Sequence, residues 1–274
     1  MPELPEVETV RRGLAPLITG RRFTGAVVRQ PQLRQPVPAD LGARIAGKRV
    51  DGVERRGKYL LIRASGETLL VHLGMSGRLR VLTSPPAPDR HDHVDLLLDG
   101  ADGGGLMLRF HDPRRFGLIL LCEPQGTHPL LANIGPEPLG DAFNGDYLFR
   151  ASRGHRVAVK NFIMDSHVVA GVGNIYASEA LFRAGIRPQT AAGRVSHPRY
   201  GLLAAAIRGT LEQAIACGGT TLRDFIGVGG HAGYFKQELQ VYGRAGELCR
   251  VCGSAVKQLR IGQRSTFYCS VCQH

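Results

Sequence analysis

The sequence contains no apolar run near the roughly 18 residues that a membrane-spanning helix needs, so no transmembrane anchor is expected. It has no Gly-x4-Gly-Lys-Ser/Thr loop, which argues against nucleotide hydrolysis. No cluster of carboxylates stands out that would hold two metal ions, which weighs against a metal-dependent nuclease. Internal repeats and low-complexity tracts are also missing, and Pro85-Pro86-Ala87-Pro88 reads as a loop between strands. Acidic residues are the minority sign: 23 Asp and Glu stand against 35 Lys and Arg, a formal charge of +12 at pH 7. That excess favours a polyanionic partner such as nucleic acid, although a merely soluble basic protein would share it. The amino terminus lacks the basic n-region of a secretory signal and opens instead on Pro2-Glu3-Leu4-Pro5-Glu6, so a soluble cytoplasmic protein is expected.

With 274 residues, 43% of them hydrophobic, the chain is long enough for two domains, each with its own core. Pro5 suits the first turn of a helix, Glu6 and Glu8 complement its positive end, and Val7, Val10, Leu14 and Leu17 recur at helical spacing. Strand-like runs follow at 59–62, 68–71, 79–82, 94–98, 106–108 and 118–121, separated by Gly, Pro and Asp clusters, which predicts a β-sandwich or barrel. The stretch from Asn133 to Gly140 breaks the pattern and reads as a linker. Beyond it the texture is helical around 177–182 and 202–217, so the fold class is α+β.

Cys249-x2-Cys252 and Cys269-x2-Cys272, with sixteen residues between them, form the ligand set of a structural zinc ribbon. Four thiolates close the coordination sphere, so this Zn2+ is expected to hold structure and perform no chemistry. Cys122 and Cys217 read as buried reduced thiols. At the other end, removal of Met1 would turn Pro2 into a secondary α-amine, and α-amines titrate near ~8, which suits a nucleophile at neutral pH. Arg153, Arg156 and Lys160, at i, i+3 and i+7, would form one basic face if they share a helix. Gly171-Val172-Gly173-Asn174 reads as a glycine turn entering a helix, a place for a backbone phosphate. Arg264 near the ribbon tip is a candidate phosphate ligand, and Met75 and Phe116 are candidate apolar wedges if their loops project.

Taken together, Pro2-Glu3-Leu4-Pro5-Glu6-Val7-Glu8, Lys58 in Arg55-Arg56-Gly57-Lys58-Tyr59, His72-Leu73-Gly74-Met75-Ser76-Gly77, His91-Asp92-His93, Asp112-Pro113-Arg114-Arg115-Phe116-Gly117, Gly171 to Ala177 and the ribbon with Gln263-Arg264 resemble bacterial formamidopyrimidine-DNA glycosylases. The resemblance implies an amino-terminal β-sandwich domain (1–132), a linker (133–148), a helix-two-turn-helix domain (149–240) and a zinc finger (241–274). It implies a monomer that grips duplex DNA, removes oxidised purines such as 8-oxoguanine and formamidopyrimidines, and cleaves the strand by β,δ-elimination. Pro2 would be the nucleophile, Glu3 the acid, Lys58 the proton donor for β-elimination, and Arg264 a phosphate clamp associated with δ-elimination. Met75, Arg114 and Phe116 would fill the gap left by the extruded base. His72, His91, Arg156, Lys160, Asn174 and Tyr242 would join them at the DNA, with His155 a rival for Arg156. Ala232 stands in the loop over the flipped base where relatives often carry proline. Two other readings stay open: an endonuclease VIII-like enzyme for oxidised pyrimidines, whose usual opening has glycine at the place of Leu4, and a catalytically silent zinc-ribbon DNA-binding protein.

Overall fold

The computed structural model describes residues 2–100, 104–123, 127–218 and 239–274. Met1 and the loop around Ala232 lie outside the described residues. The chain divides into two compact units, with the break between Ala132 and Asn133.

The first unit opens with helix α1 (Leu4–Ile18), whose Leu4, Val7, Val10, Leu14 and Ile18 form one buried stripe. Pro5 sits in the first turn, where its missing N–H costs nothing. Strand β1 (Phe23–Val28), the short helix α2 (Leu41–Ile45) and strands β2 (Val50–Arg56), β3 (Tyr59–Ala64), β4 (Glu67–His72), β5 (Arg78–Leu82), β6 (Asp92–Asp99), β7 (Gly105–His111) and β8 (Leu118–Leu121) follow. They form two antiparallel four-stranded sheets, ordered β1-β6-β7-β5 and β2-β3-β4-β8. One apolar core takes residues from α1 and both sheets: Leu60, Ile62, Leu69 and Val71 meet Leu96, Leu108 and Phe110.

The unbroken Leu-rich texture of β3, β4 and β8 has a separate cause. Alternate residues of those strands, Leu61, Leu70, Leu118 and Leu120, face a second cluster with Cys122 and Leu130 and Leu131 of helix α3 (Pro129–Ala132). The sheet is therefore buried on both faces, and strict apolar–polar alternation is lost.

The second unit contains α4 (Gly145–Ser152), α5 (Val159–Met164), α6 (Asn174–Arg183), the long α7 (His197–Ala216) and the hairpin β9 (Lys257–Ile261) with β10 (Arg264–Tyr268). Asn144 caps α4 by accepting the Tyr147 N–H at 2.9 Å. Helices α4 and α6 pack on α7, and α6 also packs on β10. Cys217, expected to be buried, is only half-buried at the end of α7, whereas Cys122 is enclosed. Among the described residues, no helix is long and apolar enough to cross a membrane.

Candidate functional site

In the first unit, α1 begins two residues after the candidate nucleophile Pro2. Pro2 is partly exposed, and the next residue, Glu3, is the buried N-cap. Glu3 and Glu6 form a reciprocal capping box in which the Glu3 N–H donates to Glu6 Oε2 at 2.8 Å. The backbone on which Pro2 stands is thereby held at both residues of the cap.

Lys58 occupies the two-residue turn between β2 and β3, after Gly57 with φ of 57°, the position where a II′ hairpin requires glycine. Glu8, one turn into α1, connects the helix to that turn. Its carboxylate accepts from Arg11 at 2.7 Å, Arg12 at 2.8 Å and Arg55 at 3.2 Å, and Arg55 also donates to Gly57 O at 3.1 Å. Burial alone would raise the Glu8 pKa, but the three guanidiniums outweigh it and hold the group at about 2. The chain from Glu8 through Arg55 to Gly57 is invisible in the sequence except as alternating acid and base.

Two loops present the candidate wedge. Met75 and Phe116 are 41% and 44% exposed, far more than side chains of a core would be. The Arg114 guanidinium lies 4.9 Å from the centre of the Phe116 ring. His72 is buried beneath them, its Nδ1 accepting the Gly74 N–H at 2.9 Å and its ring tilted against Tyr59. Burial, with Arg34 and Lys58 nearby, pulls its pKa down to about 4, so the ring is neutral and carries its proton on Nε2.

His91 is half-buried, and its loop is fixed by a buried charge network that sequence reading did not find. Arg109 forks onto Asp95 with two contacts of 2.9 Å and reaches Pro86 O at 2.9 Å, while Arg80 and His111 take Asp92 Oδ1 at 2.7 and 2.9 Å. Asp92 Oδ2 in turn accepts the Asp89 N–H at 2.9 Å, and Asp89 accepts the His91 N–H at 2.6 Å. The available signal was Asp95 itself, a charge inside the apolar run Val94 to Leu98.

In the second unit the expected basic face does not form. Helix α4 ends at Ser152, Arg153 is its extended C-cap, Gly154 turns with φ of 79°, and α5 starts only at Val159. Arg156 and His155 are exposed in that connection. Lys160 is a correction: it is fully enclosed, and its ammonium donates to Asn174 Oδ1 at 2.6 Å, Thr266 Oγ1 at 2.7 Å and Ser265 O at 3.2 Å. An enclosed lysine spent on three oxygens braces structure and does not meet solvent-borne phosphate.

What it braces is the hairpin. Gly262 and Gln263 form the tip, both with positive φ (52° and 63°) as a I′ turn demands, so Arg264 is delivered, exposed, immediately after it. A Cβ on Gly262 would come within 2.6 Å of Asn161 Nδ2, so glycine lets the tip seat on α5. Asn174, the first residue of α6 after Gly173, donates to Ser265 O at 3.1 Å and to the Tyr242 hydroxyl at 3.4 Å. Glu179 of α6 receives the N–H groups of Gln240, Val241 and Tyr242 at 2.8, 3.0 and 2.9 Å, which pins the chain entering the ribbon.

The four ribbon cysteines converge, all sulfurs lying within 4.8 Å of one another. Cys249 and Cys272 sulfurs are 3.9 Å apart, and Cys252 and Cys269 are 3.4 Å apart. Zn–S bonds of ~2.3 Å place tetrahedral sulfurs about 3.8 Å from each other, so the donor set fits one structural Zn2+. The Ser254 N–H draws the Cys252 thiol down to about 6, readying one thiolate.

Family comparisons agree with this geometry. The formamidopyrimidine-DNA glycosylase N-terminal domain matches residues 1–119, the formamidopyrimidine-DNA glycosylase H2TH domain matches 134–226, and the zinc finger found in FPG and IleRS matches 246–274. The chain is 56% identical over 273 residues to formamidopyrimidine-DNA glycosylase of Stutzerimonas stutzeri and 59% identical over 281 residues to that of Alkalilimnicola ehrlichii, covering 100% of both chains in each case. Among solved structures, the MutM (Fpg) protein of Thermus thermophilus aligns with a TM-score of 0.86 at 38% identity, covering 99% of this chain and 98% of that one. A Lactococcus lactis Fpg mutant in complex with Fapy-dG containing DNA aligns with a TM-score of 0.90 at 32% identity over 100% of both.

Proposed function

This chain belongs to the formamidopyrimidine-DNA glycosylase family, and from that premise we propose how its residues carry out base-excision repair of oxidised purines. The protein is a bifunctional DNA glycosylase and abasic-site lyase with one structural zinc, acting on double-stranded DNA. Its work lies in the cytoplasm, on the DNA of the nucleoid.

A damaged base inside the stack is beyond reach, so its nucleotide must be flipped out at a cost of roughly a few kcal/mol. Met75, Phe116 and Arg114 fill the space it leaves, and their exposure on adjoining loops supports that role. Lys58, Arg264, Asn174, His91 and Arg156 hold the DNA, with Tyr242 beside Asn174. His72 and Lys160 support these contacts from within, His72 under the Met75 loop and Lys160 under the hairpin.

The Pro2 amine, freed by removal of Met1, attacks C1′. Glu3 assists opening of the sugar and passes the proton, and the base leaves with the glycosidic electron pair. The resulting iminium withdraws electrons from C2′, so the C2′ proton is lost and the 3′ phosphate departs; a second elimination releases the 5′ phosphate. Lys58 supplies the proton in the first elimination and Arg264 aids the second. An amine achieves this better than water, because the cationic iminium is a far stronger electron sink at C1′ than the hemiacetal that hydrolysis leaves.

The observation that carries the reading is the N-cap itself, which holds Glu3, with Pro2 before it, at the start of α1, the helix tied through Glu8 and Arg55 to the Lys58 turn. Incubation with duplexes containing 8-oxoguanine or an oxidised pyrimidine tests the function. Base release and β,δ-cleavage at the oxidised purine are expected; preference for the pyrimidine would assign the chain to the endonuclease VIII-like reading, and mere binding would make it a silent DNA-binding protein.

A further inference from the structure

Asp112 takes no part in the chemistry above, yet its carboxylate is the meeting point of the two wedge loops. The residue is fully enclosed. Its Oδ1 accepts the Ser76 hydroxyl at 2.8 Å and the Arg114 N–H at 3.3 Å, and its Oδ2 accepts the Gly117 N–H at 2.8 Å. Its main chain is engaged as well: the N–H donates to His91 O at 3.0 Å, and the carbonyl accepts from His93 Nε2 at 2.8 Å. One residue therefore touches the Met75 loop through Ser76, both ends of the Arg114–Phe116 loop, and the backbone of His91.

The loops also press backbone against backbone. A Cβ on Gly74 would fall 2.5 Å from the Phe116 carbonyl carbon and 2.6 Å from Gly117 N, and one on Gly117 would fall 2.8 Å from His72 O. Gly74 and Arg115 both adopt positive φ, 63° and 54°. Such close approach leaves room for no side chain at Gly74 or Gly117, and the Asp112 carboxylate bonds to both loops. A charged acceptor is suited to this place because it satisfies the buried Gly117 N–H and draws the part-buried Ser76 hydroxyl and Arg114 N–H to the same carboxylate.

We infer that Asp112 is the positioning residue of the wedge, joining loops 73–77 and 112–117 into one rigid body so that Met75, Arg114 and Phe116 enter the base stack together. The inference rests on the reading of those three side chains as the wedge. Mechanically it follows from what unstacking demands: an apolar side chain on a yielding loop is pushed back by the stack, whereas two loops locked to a common carboxylate transmit the force to the DNA.

Ser76→Ala tests this with little risk to the fold, since it removes only the bond between loops. The readouts are excision from an 8-oxoguanine duplex, cleavage of the same duplex with a preformed abasic site, and fluorescence of a 2-aminopurine placed beside the lesion. Ser76→Ala should lower the ratio of excision to abasic cleavage by about tenfold, the worth of a charge-assisted hydrogen bond, and should blunt the unstacking signal. Ser76→Thr, which keeps the hydroxyl, should restore both. Met75→Ala should lower the same ratio, and adding Ser76→Ala to it should cost little more, because one acts through the other. Asp112→Ala should shift the ratio at least as far; if it fails to fold, the Ser76 series decides. A normal ratio in Ser76→Ala alongside a lowered one in Met75→Ala would overturn the positioning role and leave the wedge standing. A normal ratio in Met75→Ala would overturn the wedge, and the positioning role with it.

Discussion

His72 illustrates what a residue's surroundings decide and its letter does not. In the sequence it belongs to a motif associated with DNA; in the fold it is buried, neutral, and an acceptor for the Gly74 N–H. Its pKa of about 4 lies below the unperturbed ~6.5, so on acidification the unfolded chain takes up the proton first. The stabilisation is full above ~6.5 and is lost as pH falls towards about 4. Imidazole NMR resonances of His72 should therefore stay flat from neutral pH down to about 5.5, and an inflection near ~6.5 would contradict the buried acceptor role. Lys160 teaches the same lesson. Its spacing from Arg153 and Arg156 suits a helix face, but Gly154 breaks the helix and the lysine turns inward to Asn174 and Thr266. By contrast the placement of Pro2 before a helix start, of Met75 and Phe116 on exposed loops and of Arg264 beside a hairpin tip was legible, because that geometry is local, whereas Glu3 stood out only through the resemblance.

At the scale of elements, α1 and the β2–β3 hairpin are joined by Glu8. Its folded pKa of about 2 lies below the ordinary 4.5, so its contribution is present above about 4.5 and is lost as pH falls towards 2. The Glu8 side chain is only 10% exposed, and the shift from 4.5 to about 2 corresponds to roughly 3 kcal/mol at neutral pH. Glu8→Gln should lower stability by that amount at pH 7 and flatten the acid limb of a melting-temperature profile; an unchanged acid limb would show that Arg11, Arg12 and Arg55 do not hold the carboxylate as described. The central strands were readable from their β-branched and leucine runs. Strands β1 and β2 were not, since Phe23–Val28 is half-exposed around Gly25 and Val50–Arg56 mixes Asp, Gly and Arg into an irregular register. Helices α4 and α5, eight and six residues long, are too short to show a period and exist through packing against larger neighbours.

The whole molecule carries a formal charge of +12, and its cations divide into those proposed to face DNA and those that hold the fold. Each phosphate neutralised contributes about −0.9 to the slope of log K against log salt. Arg264→Ala should make that slope shallower by about one phosphate, whereas Lys160→Met should lower thermal stability and leave the slope intact. Equal flattening by both would return Lys160 to the interface. Whether a single chain removes the base and cuts the strand through its own amino-terminal amine can be read directly from the covalent intermediate. Borohydride added during turnover on an 8-oxoguanine duplex reduces the iminium and fixes the protein to the DNA, and digestion of the adduct then locates the attached amine. Attachment at Pro2 and no trapping with an acetylated terminus are expected; attachment at Lys58, or undiminished trapping with the terminus blocked, would rule out the amino-terminal amine as the nucleophile.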